Sequence, residues 1–209
     1  MSQGILFLIS VPSGAGKTSL VNALLDATAN NLATRLCVSI SHTTRPKRPG
    51  EENGKNYHFV SVAQFQQMQK KQAFLESAEV FGNHYGTSRK WVEDQLAQGQ
   101  DVILEIDWQG ASQVQALLPE SVSIFILPPS LDALRERLTS RAQDDADVIE
   151  KRMSEAKNEI SHYAQADYII INEDFDTALA DLNAVIRSAG LSKKHQASSN
   201  AELLKNLVS

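Results

Sequence analysis

One segment constrains the fold of this chain more than any other, the run Pro12-Ser13-Gly14-Ala15-Gly16-Lys17-Thr18-Ser19 between an apolar stretch and a helical pattern. Glycines let the backbone curl with its N–H groups pointing inward, and the N-terminus of the next helix adds its positive dipole end. In such a loop Lys17 reaches the β- and γ-phosphates of a nucleoside triphosphate and the Thr18 hydroxyl binds Mg²⁺. The first glycine of the pattern G-x-x-x-x-G-K-[ST] is replaced here by Val11. The order strand, loop, Lys-Thr and helix still predicts a nucleoside triphosphate site.

Short apolar runs without alternation recur along the chain, and each is followed by a segment that is typical of a helix. These runs are residues 5–10, 102–106, 123–127 and 168–171. Strands that are buried on both faces of a parallel sheet have this character. The alternation of strands and helices predicts an α/β fold, a phosphate-loop kinase core in which helices flank a parallel sheet.

Two stretches depart from this alternation. Residues 37–90 contain strand-like pieces at 38–40 and 57–60, a short helix at 62–71 and many turn residues, so they predict an inserted, mainly β subdomain. Residues 130–162 are charged and helical and predict a helical lid that stands off the core. The core then comprises residues 1–36, 91–129 and 163–190. Residues 191–209 form a polar tail with a short apolar ending, which predicts a loosely docked or frayed helix.

Composition narrows the function classes. The 209 residues carry 20 Lys+Arg against 25 Asp+Glu, a net charge of −5, which argues against a broad nucleic-acid interface. No apolar run approaches the roughly 18 residues of a membrane span. Cys37 is the single cysteine, and the N-terminal residues lack the pattern of a signal peptide. We therefore expect a cytoplasmic protein without a membrane or nucleic-acid partner.

A proline-restrained basic turn lies within the inserted segment. Arg45 and Arg48 stand beside Pro46 and Pro49, where two guanidinium groups can clamp a phosphate monoester. A solvated basic loop explains the same residues equally well, because charged turns are common on surfaces.

Several motifs together resemble the guanylate kinase family, and the resemblance spans residues 4–187. They are the phosphate loop, Ser41-His42-Thr43-Thr44-Arg45-Pro46-Lys47-Arg48-Pro49-Gly50, Phe74-Leu75-Glu76 with Gly82-Asn83-His84-Tyr85-Gly86-Thr87, and Leu104-Glu105-Ile106-Asp107-Trp108-Gln109-Gly110. Two later segments are also similar, residues 124–130 and 171–174. The resemblance implies transfer of the ATP γ-phosphoryl group to GMP, and the inserted subdomain is then the GMP-binding one.

The resemblance also implies the acceptor site. Its phosphate ligands are Arg45, Arg48, Tyr57 and Tyr85, and the base is surrounded by Ser41, Glu76, Thr87 and Asp107. Guanine offers N1–H and its 2-amino group to one carboxylate, and a hydroxyl can donate to O6. Adenine lacks the N1 donor, so a site built on buried polar groups rejects it. Without the resemblance, Glu76 reads as an exposed charge in a strand.

For the donor site, the resemblance implies ATP contacts from the phosphate loop and from Asn172 after the last core strand. The loop residues are Ser13, Gly14, Ala15, Gly16, Lys17, Thr18 and Ser19. Catalytic charge neutralisation is expected from Lys17, Arg45, Arg137, Arg141 and Arg152. Glu105 and Asp107 are two apart at a strand end, so their side chains point the same way. Thr18 and Glu105 are the predicted Mg²⁺ ligands, directly or through water; Glu105 stands where the family usually has Asp.

The acceptor is already an anion and needs no strong base, so a catalytic histidine is not expected. The chain's histidines, His42, His58, His84, His162 and His195, are predicted to be structural or exposed, with His42 and His84 possible supports of the site. ATP, GMP and dGMP are the expected ligands, and a homo-oligomer is left open.

Two other functions compete with this one. The first is a phosphate-loop kinase for another small acceptor, which equal turnover of AMP and GMP would indicate. The second is a scaffolding module that binds phosphorylated peptides at the GMP site. Such modules usually lose parts of the phosphate loop, whereas this chain keeps Gly16-Lys17-Thr18.

Overall fold

The computed structural model of the protein describes residues 3–12, 15–29, 36–80, 82–140 and 146–209. Along them the elements are β1 (Leu6–Ser10), α1 (Lys17–Ala29), β2 (Leu36–Val38), β3 (His42–Thr43), β4 (His58–Phe59), α2 (Val62–Lys70), β5 (Phe74–Val80), β6 (Asn83–Ser88), α3 (Arg89–Ala97), β7 (Asp101–Glu105), α4 (Trp108–Leu117), β8 (Val122–Leu127), α5 (Leu131–Ser140), α6 (Ala146–Ile160), β9 (Tyr168–Ile171), α7 (Phe175–Gly190), α8 (Lys193–Ser199) and α9 (Ala201–Leu207). A 3₁₀ turn, Tyr163–Gln165, precedes β9.

The core sheet has the strand order β2-β7-β1-β8-β9, and its paired strands are parallel. Every residue of the central strand β1 is buried, because apolar clusters cover both of its faces. Phe7 and Ile9 face α1 and α7, whereas Leu6 and Leu8 face α3 and α4. The predicted α/β class with a helix-flanked parallel sheet is confirmed.

A second sheet has the order β4-β3-β6-β5 and is largely antiparallel. Its β5–β6 hairpin shifts register between Phe74 and Glu76, which is the effect of a bulge. Helix α2 begins with a capping box formed by Ser61 and Gln64 and places Phe65 against Phe74, with 4.5 Å between ring centroids.

One predicted strand belongs to the other sheet. The strand expected at residues 38–40 within the insertion is Leu36–Val38, and it pairs with β7 at the edge of the core sheet. The prediction was wrong because three apolar residues suit either sheet and carry no information about their ladder partner. The strand expected at 57–60 is β4 and does lie in the second sheet.

The α5–α6 hairpin does not stand off the core along its whole length, contrary to the expectation from its charged sequence. Leu134, Leu138, Met153 and Ala156 form a buried cluster with Ala15 of the phosphate loop. Val11 packs against this cluster, so the side chain that replaces the usual glycine fills space between the loop and the hairpin. Burial of apolar surface at its base outweighs the hairpin's charge.

The C-terminal tail contains two short helices. Helix α7 continues to Gly190, and α8 and α9 follow it. Lys194 forms an exposed ion pair with Glu120 at 2.8 Å. Among the described helices, none combines the length and apolar character that a membrane crossing requires.

Candidate active site

The phosphate loop is held from the far end of the chain. Asn172 follows β9 directly, and its Nδ2 donates to the carbonyl oxygen of Ala15 at 2.9 Å in a buried position. Gly16 adopts φ +96°, and a Cβ there would lie 2.9 Å from Asn172 Nδ2. Both facts require glycine at this position, because L residues avoid this φ and the space is taken. Asn172, the residue predicted to contact adenine, therefore already uses one N–H of its side-chain amide in a hydrogen bond to the loop.

Helix α5 reaches the same point. Arg137 donates from its Nη2 to the carbonyl oxygen of Asn172 at 2.9 Å and is half-buried. Arg152 lies half-buried on α6, the other helix of the hairpin. These two predicted charge-neutralising arginines therefore belong to the helices whose base packs on the phosphate loop.

Some predicted donor-site residues lie outside the described part of the chain, namely Ser13, Gly14, Arg141 and the side chains of Lys17 and Thr18. The backbone of Lys17 and Thr18 opens α1, and Ser19 is exposed in its first turn. The helix N-terminus therefore begins at the loop, as the motif predicts.

The basic turn is organised by an acidic residue that the sequence reasoning missed. Glu51 Oε1 forms an ion pair with Arg45 Nη2 at 2.6 Å, and its Oε2 accepts the backbone N–H of Arg48 at 2.7 Å. Arg45 Nη1 also donates to the Pro46 carbonyl at 2.8 Å. The Arg48 side chain is exposed. Glu51 thus holds the turn that carries Arg45 and Arg48, the two arginines among the predicted phosphate ligands.

Two tyrosines complete this cluster. The Arg45 guanidinium carbon lies 5.4 Å from the ring centroid of Tyr57, and Tyr57 meets the Tyr85 ring edge-on at 5.9 Å. Burial raises the pKa of Tyr57, and the neighbouring Tyr85 and Glu105 raise it further. Glu105 ends β7 in the core sheet. The structure therefore brings Arg45, both tyrosines and Glu105 together, although Arg45, Tyr85 and Glu105 come from three separate motifs and Tyr57 lies outside them.

Glu76 is a buried carboxylate at the other end of this region. Its side chain is 4% exposed, and burial raises its pKa to about 7, assisted by the charge of Asp107 and opposed by Thr87. The Thr87 hydroxyl lies close enough to favour the charged form, yet it makes no hydrogen bond of good geometry with the described residues. A buried carboxylate and a buried hydroxyl are thus both left with capacity for a ligand.

Helix α4 supplies the wall around Glu76. Asp107 caps this helix, with Oδ1 accepting the N–H of Gly110 at 2.9 Å and Oδ2 accepting Gln109 Nε2 at 3.0 Å. A Cβ on Gly110 would lie 2.7 Å from Glu76 Oε2, so the carboxylate occupies the space that any other residue would fill. Ser41 is half-buried immediately before β3, and its carbonyl accepts the N–H of His58.

The histidines of the second sheet contact other aromatic rings of its subdomain. His42 packs edge-on against Phe74 at 5.5 Å and lies 4.7 Å from the ring of His58. His84 stacks on Phe65 at 5.3 Å. Burial lowers the pKa of His42, with His58 adding to the effect. These ring contacts agree with a structural role for the three histidines, which stays a prediction.

Sequence reasoning also missed residues of α4 that join it to other elements. Trp108 stacks on His162, and Gln113 bonds to the backbone of Ser77 on β5. Trp108 lies within a recognised motif and Glu51 directly follows one, so these positions were an available signal. Gln113 had no such signal, because a lone helical glutamine is usually a solvated surface residue.

The phosphate loop on a parallel sheet, the arginine–tyrosine cluster and the buried carboxylate define the class of protein as a phosphate-loop phosphotransferase of the nucleoside monophosphate kinase type. A family model described as guanylate kinase matches residues 3–189. The chain is 58% identical to the guanylate kinase of Saccharophagus degradans over 206 residues, which cover 99% of this chain and 98% of the relative. It is 60% identical to the guanylate kinase of Hahella chejuensis over 191 residues, with 91% and 89% covered.

A solved structure agrees with these relatives. The crystal structure of guanylate kinase from Anaplasma phagocytophilum matches with a TM-score of 0.75 at 35% identity, covering 92% of this chain and 89% of that one. The chain belongs to the guanylate kinase family.

Proposed function

We propose that this enzyme catalyses ATP + GMP → ADP + GDP, and that dGMP is also an acceptor. The observation that carries the proposal is the buried carboxylate of Glu76 beside Asp107 and Thr87. When ionised, Glu76 accepts hydrogen bonds from guanine N1–H and the 2-amino group, and a hydroxyl of Ser41 or Thr87 donates to O6. The N1 lone pair of adenine would face the same carboxylate without a proton between them. This mismatch costs more binding free energy in a buried site than in an exposed one, because water cannot replace the missing hydrogen bond.

The GMP phosphate binds at the arginine–tyrosine cluster in this proposal. Arg45 and Arg48 supply positive charge, and the hydroxyls of Tyr57 and Tyr85 donate to phosphate oxygens. Glu51 holds the Arg45 guanidinium through Nη2, at 2.6 Å. In this proposal the base lies near α4, and the phosphate lies toward Glu105 and the core sheet.

ATP binds at the phosphate loop, with Asn172 beside it and Lys17 at the β- and γ-phosphates. Mg²⁺ fits the donor set: Glu105 offers a half-buried carboxylate at the end of β7, and Thr18 offers a hydroxyl. No cluster of three or more His, Cys, Asp or Glu suited to a metal occurs among the described residues, and Mg²⁺ bound mainly through phosphates and water needs none. When bound, Mg²⁺ neutralises charge on the phosphates.

The protein's part in the reaction is positioning and charge neutralisation. An oxygen of the GMP phosphate attacks the γ-phosphorus of ATP, a new P–O bond forms, and ADP leaves with the electrons of the broken bond. Lys17, Arg45, Arg137, Arg141 and Arg152 stabilise the charge that spreads over the transferred group. Closure of the α5–α6 hairpin excludes water, which would otherwise accept the phosphoryl group.

This mechanism assigns functions to segments of the chain. Residues 37–90, apart from the β2 strand, form the GMP-binding subdomain, and residues 130–162 form the lid. The core comprises residues 1–36, 91–129 and 163–190, followed by the tail 191–209. We also propose a cytoplasmic location, where a free cysteine such as Cys37 stays reduced.

The test is a coupled assay of ADP formation with Mg-ATP and each of GMP, dGMP, AMP, CMP and UMP. We expect turnover with GMP and dGMP and little with the others, and we expect EDTA to stop it. Turnover of another nucleotide at the GMP rate would refute the guanine pocket, and no turnover with any acceptor would support a scaffolding role. Lys17→Ala supplies the donor-site control, with Lys70→Ala on the exposed face of α2 as its match.

A further inference from the structure

The strand that carries Glu76 is an edge strand. β5 ends the order β4-β3-β6-β5, so β6 pairs with one of its sides. The other side of an edge strand presents N–H and C=O groups that need partners. At Ser77, directly after Glu76, those groups meet a side chain of α4 instead of another strand.

That side chain is Gln113. The N–H of Ser77 donates to Gln113 Oε1 at 3.1 Å, and Gln113 Nε2 donates to the Ser77 carbonyl oxygen at 3.0 Å. A planar carboxamide that makes both bonds imitates a neighbouring strand and fixes the strand's position and direction at this residue. Helix α4 connects core strands β7 and β8 along the chain and belongs to the core. The contact with Ser77 therefore joins the core to the second sheet.

The same helix also touches Glu76 itself. Gly110 and Gln113 are three residues apart and share one face of α4. Gly110 leaves room for the Glu76 carboxylate, and Gln113 holds the backbone of the next residue. Asp107, whose charge acts on Glu76, caps the helix. One rigid element therefore sets the side chain and the backbone of the proposed guanine-reading segment.

The contact is open to water. Gln113 is exposed and lines a cleft of about 350 Å³ together with Gln69, Gln72 and Arg89. Hydrogen bonds exposed to water add little to overall stability, because water replaces them when they break. Their loss does free the strand to shift, and a displaced carboxylate binds its partner poorly.

We propose that Gln113 is a positioning residue for guanine recognition, which holds β5 so that Glu76 meets the N1–H and 2-amino donors of a guanine nucleotide. This inference rests on the proposed role of Glu76. Gln113 touches neither the substrate nor the reacting atoms; it acts through Ser77 and the strand.

The test compares Gln113→Ala, Glu76→Gln and the double variant. For Gln113→Ala we expect the KM for GMP to rise about tenfold, as the loss of two hydrogen bonds allows, with the KM for ATP unchanged. The midpoint of thermal unfolding should stay close to that of the unmodified enzyme. Gln66→Ala, an exposed glutamine of α2, is the matched control and should change no kinetic constant.

The double variant shows whether Gln113 acts on GMP binding through Glu76 or independently of it. If Gln113 acts through Glu76, Gln113→Ala adds little to the GMP defect of Glu76→Gln, because the interaction it supports is already gone. Independent contributions would instead multiply.

The kinetic results separate a failure of the Gln113 role from a failure of the proposed guanine pocket. A normal KM for GMP in Gln113→Ala, with a raised one in Glu76→Gln, overturns the positioning role and leaves the guanine pocket intact. Equal losses for ATP and GMP, or multiplied defects in the double variant, also overturn it. A normal KM for GMP in Glu76→Gln removes the proposed reading of guanine and this inference with it.

Discussion

The indole of Trp108 and the imidazole of His162 lie face to face, with 3.5 Å between their centroids and 7° between their planes. Trp108 opens α4, and His162 follows α6, the second helix of the proposed lid. Gln165 joins the contact, because its Nε2 lies 3.4 Å from His162 Nδ1 and its Oε1 accepts the Ser112 hydroxyl at 3.0 Å. The stack therefore attaches the end of the proposed lid to the helix that borders the proposed guanine pocket.

Replacement of His162 by Ala should loosen this attachment. Loss of a ring pair of about 1 kcal/mol lowers the unfolding midpoint by about 2–4 °C in a chain of this size. We expect a lower kcat and a higher KM for ATP, with the KM for GMP unchanged. His162→Phe retains a flat ring and should restore most of the loss in steady-state assays and thermal unfolding. A Phe variant as impaired as the Ala variant would contradict a role for stacking.

Gly110→Ala should disturb guanine binding directly. The new Cβ would lie 2.7 Å from Glu76 Oε2 and 3.3 Å from the Cβ of Ile106, so the carboxylate must move. We expect this displacement of the Glu76 carboxylate to lower kcat/KM for GMP by about 100-fold and to leave the KM for ATP unchanged.

The matched control for this variant is Gly190→Ala. Gly190 ends helix α7, and a Cβ there would meet no atom within 4 Å. The control should be neutral or slightly stabilising. Normal GMP kinetics in Gly110→Ala would show that Glu76 does not read the base from its present position.

The raised pKa of Glu76, about 7, predicts how GMP binding depends on pH. The ionised carboxylate accepts the guanine donors, so the KM for GMP should fall as the pH rises from about 6 to 8. The GMP phosphate titrates in the same range, and Glu76→Gln separates the two effects because it leaves only the phosphate. An identical pH profile in Glu76→Gln would contradict the assignment.

The same carboxyl group predicts the pH dependence of stability. Its pKa in the folded protein lies above the ordinary value of 4.5, so the folded state binds more protons than the unfolded state between those values. The free energy of unfolding therefore falls as the pH rises from about 4.5 to 7, by roughly 3 kcal/mol at most. Denaturant unfolding at several pH values measures this slope, which Glu76→Gln should flatten.

Asn172→Ala removes the hydrogen bond to Ala15 and leaves a buried carbonyl without this donor. We expect a loss of about 1–3 kcal/mol in unfolding free energy and a raised KM for ATP, with the KM for GMP unchanged. Asn206→Ala, on exposed α9, is the control. A loss of stability with normal ATP kinetics would limit Asn172 to packing.

The sequence predicted the parts of this fold that repeat a physical pattern. Buried parallel strands appear as apolar runs, and a glycine loop before a helix indicates a phosphate site, so β1, β7, β8 and β9 lie close to their predicted positions. The strand at 36–38 was assigned to the wrong sheet, since its partner lies more than sixty residues away in β7. Pairing over such a distance depends on the whole fold and leaves no local trace.

The same distinction holds for the site. Arg45, Tyr57 and Tyr85 were predicted from the family resemblance, and the structure brings them together. Glu51, Gln113 and the Trp108–His162 stack were not predicted, because each acts through a contact with a distant or backbone group. A charge or amide that pairs with backbone looks in sequence like any exposed polar residue.

The bond from Asn172 to Ala15 spans 157 residues of sequence. During synthesis the phosphate loop is made 157 residues before the residue that holds it. A ribosome-bound chain that has been synthesised only as far as β9 therefore contains the nucleotide-binding motif without the hydrogen bond from Asn172. Completion of the proposed ATP site therefore depends on completion of the core sheet, and a chain that stops before Asn172 would carry the loop but lack this hydrogen bond.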